Sequence, residues 1–392
     1  MNMAAMISPL VKSVPPSGIR KYFDLINEME NVISLGVGEP DFVTPWNIRE
    51  SGIYSLEKGH THYTPNSGYF ELRKEISNYI HRRFGIEYSP ENEILVTVGG
   101  SEAIDLALRA IAGRGDEVII PEPSFVAYKP CAIFTGATPV IIELRAEDQF
   151  RLTPGLLEKF ITPNTKALVL PYPNNPTGAI MKKEDLLKIA EILKNKDIIV
   201  ISDEIYAELT YDGEHVSIAS LPGMKEKTVL INGFSKAFAM TGWRLGYACG
   251  HPELIGAMFK IHQYAIMCSP TMAQRAAIEA LQNGDNEVKA MVREYNRRRR
   301  VMVDGFRKAG YDCFEPLGAF YVFPDIRNSG MNSEDFCEKL LFEERVLVVP
   351  GTAFGQCGEG FVRATYANSM ENIIEAVKRI QRFAAKYNRT GF

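Results

Sequence analysis

Residues 94–112 read ILVTVGGSEAIDLALRAIA. Ile94–Val98 is a short β-branched run, and two glycines break it. From Ser101 onward Ile104, Ala107, Leu108 and Ile111 return at the three- and four-residue spacing of one helical face. Further short apolar runs follow at 118–120, 139–142, 167–170, 198–202, 229–231 and 245–249, with amphipathic segments such as KKEDLLKIAEILKNK (182–196) between several of them. Apolar runs bracketed by helices imply strands covered on both faces, so an α/β fold with a mostly parallel seven-stranded sheet is predicted. From about residue 285 the texture changes. A long helical stretch through EYNRRRRVMVDGF leads into AFYVF (319–323), RVLVV (345–349), GFVRATYA (360–367) and a last amphipathic helix. The expected division is an N-terminal arm and part of a small domain (1–44), a large domain (45–285) and a small α+β domain (286–392).

The whole chain supports a globular reading. It has 392 residues, 46% hydrophobic and 23% charged, which excludes a disordered protein. The longest uncharged stretch, 167–181, contains three prolines and is too short for a membrane span. Residues 1–11 carry no Lys or Arg, so no secretory signal is expected. The 6 cysteines form no C-x-x-C pair, which reads as reduced thiols in a cytoplasmic protein. A net charge of −4 argues against nucleic acid as a partner. The RRRR run (297–300), flanked by Glu294 and Asp304, is expected to be a solvated helix face. His60 and His62 lack the carboxylate or thiol companions of a metal site, so no metal is expected. No G-x-G-x-x-G or Walker A sequence occurs.

In sheets of this kind ligands sit beyond the carboxyl ends of the strands, so the residues after each run are where chemistry is expected. Gly99-Gly100-Ser101-Glu102 opens a helix whose free N–H groups suit an anion. Pro171-Tyr-Pro-Asn-Asn-Pro-Thr-Gly178 follows the next relevant run, and Asp203-Glu204-Ile205-Tyr206 places an acid and a phenol at another. GFSKAFAMTGWRLG (233–246) sets Lys236 among small and apolar neighbours. A lysine desolvated in such a setting loses basicity and becomes a nucleophile able to form a Schiff base. Taken alone, each piece has an ordinary reading: a helix start, a proline-fixed turn, a capping aspartate, a solvated lysine.

Together they resemble one family. The 233–246 segment is similar to the pyridoxal-phosphate attachment motif of class I aminotransferases. The other loops match in the same order, as do LGVGEPDF (35–42), HYTPNSG (62–68), GAFYVFP (318–324) and VRATYA (362–367). The likeness runs from about residue 12 to the last helix and is greatest to the bacterial and archaeal branch holding aspartate, aromatic and N-acetyl-diaminopimelate aminotransferases. It implies fold type I, pyridoxal 5′-phosphate as cofactor, and a ping-pong exchange between an L-amino acid and a 2-oxo acid, with 2-oxoglutarate and glutamate as one pair.

Carried onto this sequence, the resemblance gives each position a role. Lys236 would hold the cofactor aldehyde and move protons, and Asp203 would keep the ring nitrogen protonated. Asn175 and Tyr206 would bond the ring's phenolic oxygen, and Phe125 would stack on the ring. Gly100, Ser101, Ser235 and Arg244 would surround the phosphate, and Glu102 would also bind the cofactor. Tyr63 would reach the cofactor of a partner subunit, making a homodimer the working unit. Arg363 would clamp the substrate carboxylate with Asn175 and the Gly38 backbone, and Arg20 would meet the substrate side chain. Ser101 stands where some members carry a lysine, which speaks against a dedicated aspartate enzyme. A C–S β-lyase on the same fold and a non-catalytic regulatory protein are the alternatives.

Overall fold

The computed structural model describes residues 3–16, 18 and 29–388. Among the described residues there are twelve strands: β1 (Ile33–Ser34), β2 (Ile94–Thr97), β3 (Glu117–Glu122), β4 (Thr138–Glu143), β5 (Thr165–Leu170), β6 (Ile199–Asp203), β7 (Thr228–Gly233), β8 (Gly246–Cys249), β9 (Tyr321–Val322), β10 (Val346–Leu347), β11 (Val349–Pro350) and β12 (Val362–Thr365). Seven of them form one sheet in the order β2-β8-β7-β6-β5-β3-β4. The neighbours β7-β6-β5-β3-β4 are all parallel, and β8 runs antiparallel to both β7 and β2.

Alternate residues of a strand face opposite sides of a sheet. Here both sides are dry, because Val118, Ile120, Ala167, Val169, Ile201, Val229 and Ile231 pack into one core while Ile119, Leu168, Leu170 and Val200 pack into another. Helix Gly100–Ile111 closes one face with Ala103, Ile104, Ala107 and Leu108. The segment expected at 182–196 forms helix Lys183–Leu193 and covers the other with Leu186, Ile189 and Leu193.

A separate core gathers Tyr295, Met302 and Phe306 of helix Asp285–Lys308 with the strands after residue 320 and helix Met370–Tyr387. Two runs differ from their sequence reading. AFYVF contributes only Tyr321–Val322 as strand, since Ala319 takes a left-handed φ of 55° and turns the chain. RVLVV divides between two partners: β10 lies parallel to β1, whereas β11 pairs antiparallel with β12. Ile33 and Ser34 thereby meet Val346 and Leu347 from the other end of the sequence.

The arginine run needs a correction too. Arg297 is exposed, but Arg298 and Arg299 are buried. Helical phase places these two beside Tyr295 and Met302 on the inner face. Arg298 donates to both oxygens of Asp41, at 2.8 and 2.9 Å, and to Glu294 at 3.1 Å. Arg299 pairs with Glu315 and bonds Asn296 and the carbonyl of Pro316. Half of the run is therefore interior structure. Among the described residues no helix is long and apolar enough to cross a membrane, and no group of three His, Cys, Asp or Glu could hold a metal.

Candidate active site

A cavity of about 480 Å³ lies beyond the carboxyl ends of the parallel strands. Its floor comes from the loops after four strands: Gly100 and Ser101 after β2, Asn175 after β5, Asp203 and Tyr206 at the end of β6, and Ser235 and Lys236 after β7. Gly36 to Glu39, Tyr321 and Arg363 close it from the side of the smaller sheets, with Phe125 and Arg244 completing the wall.

Lys236 donates from Nζ to the carbonyl of Gly38 at 2.7 Å. Burial pushes its amine down from 10.5 to about 8, helped by Arg363 and Arg244 and opposed by Glu39 and Asp203. Asp203 is buried with its carboxylate on the cavity. Its Oδ2 accepts from the Tyr128 hydroxyl at 2.6 Å and its Oδ1 from the Ile205 N–H at 3.2 Å. Burial raises this carboxyl above the ordinary aspartate range, and those two bonds work against the rise. Tyr206 and Tyr321 join hydroxyls at 2.8 Å. Burial pushes both phenols upward, so they stay protonated and able to donate.

Arg363 is buried against the faces of Tyr321 and Phe354, with its guanidinium carbon 4.6 and 4.7 Å from the two ring centres. Nη1 donates to Asn175 Oδ1 at 2.9 Å and Nη2 to the carbonyl of Gly36 at 2.5 Å, while Nε is buried without a partner. Among the described residues Arg244 donates only to the carbonyls of Thr241 and Val98. Among the described residues neither guanidinium is paired with a carboxylate. The backbone is tight here: a Cβ on Gly99 (φ 80°) would meet Arg244 Nη2 at 2.5 Å, and one on Gly38 would meet the Tyr321 hydroxyl at 2.5 Å.

Of the positions singled out in the sequence, Lys236, Asp203, Tyr206, Gly100, Ser101, Phe125, Asn175, Ser235, Arg244, Gly38 and Arg363 all line this cavity. Glu102 does not. Its carboxylate turns back to accept from the Val98 N–H and meets His262 Nδ1 at 2.7 Å, as a glutamate in the first helical turn can do. Tyr63 lies outside the cavity and is 80% exposed. Arg20 falls outside the described residues. Tyr128 and Tyr321 had no assigned role, although EPSFVAY and GAFYVFP contain them. Their phenols act on partners far away in the chain, which spacing along the sequence does not reveal.

The model of the family described as aminotransferase class I and II matches residues 30–380. The chain belongs to this family. This aminotransferase is 54% identical to a putative aminotransferase of Bacillus subtilis, YugH, over 98% of this chain and 100% of that relative. Identity to an aspartate aminotransferase of Pyrococcus abyssi is 45%, over 94% and 96% of the two chains. Among solved structures, an aspartate aminotransferase from Thermus thermophilus with maleate superposes with a TM-score of 0.92 at 39% identity, covering 96% of this chain and 99% of that one. An aromatic aminotransferase from Pyrococcus horikoshii gives a TM-score of 0.89 at 44% identity, covering 94% and 99%. The family is generally dependent on pyridoxal phosphate.

Proposed function

We propose that this aminotransferase binds pyridoxal 5′-phosphate in the cavity and passes an amino group from an L-amino acid to a 2-oxo acid by a ping-pong mechanism, with 2-oxoglutarate and glutamate as one pair. The observation that carries this reading is the meeting on one cavity of a desolvated lysine, a buried carboxylate and a buried arginine that no carboxylate among the described residues pairs. The donor set suits the cofactor's parts. Arg244, the serine hydroxyls of 101 and 235 and the start of helix Gly100–Ile111 offer positive charge and donors to a phosphate. Glu102 would serve there through its main chain, since its carboxylate is engaged elsewhere.

When bound, the cofactor supplies an electron sink for the carbon–hydrogen electrons at the substrate Cα. The protein's part is proton handling and orientation. With an ordinary value brought down to about 8, Lys236 Nζ is partly neutral near pH 7 and can take the Cα proton as general base. Asp203, buried, would hold a proton on the ring nitrogen. Opposite charges about 4 Å apart at an effective dielectric near 20 attract by roughly 4 kcal/mol, enough to keep such a proton in place. Asn175 Oδ1 is occupied by Arg363, which leaves the amide N–H₂ and the Tyr206 hydroxyl to donate to a ring oxygen. Phe125 would lie against the ring. Arg363 would take the substrate α-carboxylate, with its unpartnered Nε turned from a liability into a bond. Tyr63, exposed on its own subunit, would enter the site of a second copy, so the working unit would be a homodimer. Arg20 is the candidate for the substrate side chain.

Borohydride reduction of the loaded protein followed by peptide mapping tests the assignment. The pyridoxyl group is expected on Lys236, and its appearance on another lysine would overturn the reading. An amino donor added without acceptor should release one oxo acid per cofactor. Release of ammonia instead would make the protein a lyase.

A further inference from the structure

Strand β6 ends on Asp203, and the acid that follows it, Glu204, has the opposite destination. Asp203 faces the cavity. Ser202 and Glu204 share the other face of the strand, where Glu204 is 1% exposed. A carboxylate stripped of water needs donors, and this one has three. Ser202 Oγ and Ser217 Oγ donate to Oε1 at 2.8 and 2.6 Å, and His215 Nε2 lies 2.8 Å from Oε2. Toward an ionised carboxylate, which only accepts, His215 Nε2 would be the donor. The Glu204 main-chain N–H is held as well, by the carbonyl of Ile231 at 2.8 Å. His215 is wedged edge-on against Phe84, with ring centres 5.6 Å apart. Ser217 in turn caps the short helix Ile218–Ser220 by accepting from the Ala219 N–H.

Glu204 is thus fastened to one loop, at 215 and 217, from behind the sheet, and Ser202 on the other side of Asp203 is tied to that same carboxylate. In front, Tyr128 and the Ile205 N–H fasten its carboxylate. Turning the backbone at 203 would break bonds on both faces. The negative charge of Glu204 also acts through the strand, adding to the burial that lifts the Asp203 carboxyl.

Resting on the function proposed above, we infer that Glu204 and His215 are positioning residues for Asp203: a buried acid–imidazole pair behind the sheet that fixes the carboxylate facing the cofactor ring. They touch neither cofactor nor substrate and act only through the strand end.

The test measures pyridoxal 5′-phosphate affinity by titrating the cofactor-free protein and following absorbance. Glu204→Gln and His215→Ala are each expected to weaken affinity at least about fivefold, and to lower kcat while leaving KM for the oxo acid within about twofold. The same changes in an Asp203→Asn background should weaken affinity less than about twofold, because sites that work through one another are not additive. Equal fold-losses in both backgrounds would overturn the inference. So would a lowered melting temperature with unchanged affinity. If either variant fails to fold, Ser217→Ala removes one donor at almost constant volume and must show the same dependence on Asp203. Failure of the wild-type protein to bind the cofactor would overturn the proposed function itself, and this inference with it.

Discussion

Arg298 and Arg363 are buried to nearly the same degree, 6% and 3% exposed, and each lies over aromatic rings. Their company differs. Arg298, in the helix behind the smaller core, is met by Asp41 and Glu294. Arg363, on β12 at the cavity, has an amide oxygen, a carbonyl and a bare Nε. Taking a guanidinium out of water carries a cost of several kcal/mol that only good geometry and further bonds offset. At Arg298 the fold supplies the compensating anions itself. At Arg363 it supplies neutral partners, and burial lowers the basicity of the group. Among the described residues this buried cation has no carboxylate partner, which supports the proposal that one comes from outside, on the substrate that the neighbouring Lys236 would act on.

The comparison is most exposed to failure at Arg363. Arg363→Leu should cut kcat/KM by roughly a thousandfold, about 4 kcal/mol, because a buried charge-assisted pair with the substrate is lost. Its melting temperature should stay level or rise, since no carboxylate is orphaned. A large loss of stability with kcat/KM intact would reverse the roles of the two arginines.

Lys236 sharpens the same contrast, because burial lowers its amine while Arg363 and Arg244 on one side and Glu39 and Asp203 on the other act in opposite directions. With the amine at about 8, labelling of the cofactor-free protein by an amine reagent should rise with pH and level off above that value. The folded-state value is depressed, so the reactive neutral form is gained as pH rises through about 8 and lost below it. A midpoint at the ordinary 10.5, read by peptide mapping at Lys236, would mean the cavity does not desolvate it.

Arg298→Leu is expected to act on stability. It should lower the unfolding free energy by about 2–3 kcal/mol, below the range for fully buried pairs because Asp41 and Glu294 retain some water contact. Denaturant titration measures this, and kcat per folded molecule should change little. Arg297→Ala is the smallest step. Its side chain is 74% exposed beside Glu294, and the change should cost under about 0.5 kcal/mol. A loss as large as that of Arg298→Leu would show that position in the helix, rather than pairing, governs the run.

The same two arginines mark what the sequence could tell. Asp203, Asn175, Ser235 and Lys236 were legible because each follows an apolar run, and a parallel sheet gathers everything that follows its strands onto one edge. Arg363 was legible only through the family likeness of VRATYA. Arg298 was not, because RRRR reads as one charged block until helical phase turns 298 and 299 inward and 297 outward. Glu102 was assigned to the cofactor by its place in the Gly-Gly-Ser-Glu loop, whereas its side chain serves Val98 and His262. RVLVV resembles one strand, and only the hydrogen bonds divide it between β1 and β12. In each case the missing knowledge was a partner elsewhere in the chain or the phase of a helix, and neither is a property of a short window.

The division of RVLVV has a consequence in time. The Leu35 N–H bonds the Leu347 carbonyl, the Thr365 N–H bonds the Leu35 carbonyl, and Arg363 holds the Gly36 carbonyl. The roof of the cavity therefore leaves the ribosome well before the partners it pairs with. At about 5–20 residues per second, the 312 residues between Leu35 and Leu347 take roughly 15–60 s to synthesise. Throughout that interval the Gly36–Glu39 segment has no seat and the arginine it will hold does not yet exist. The floor can form strand by strand during translation, but the enclosed site is among the last features of the molecule to be born.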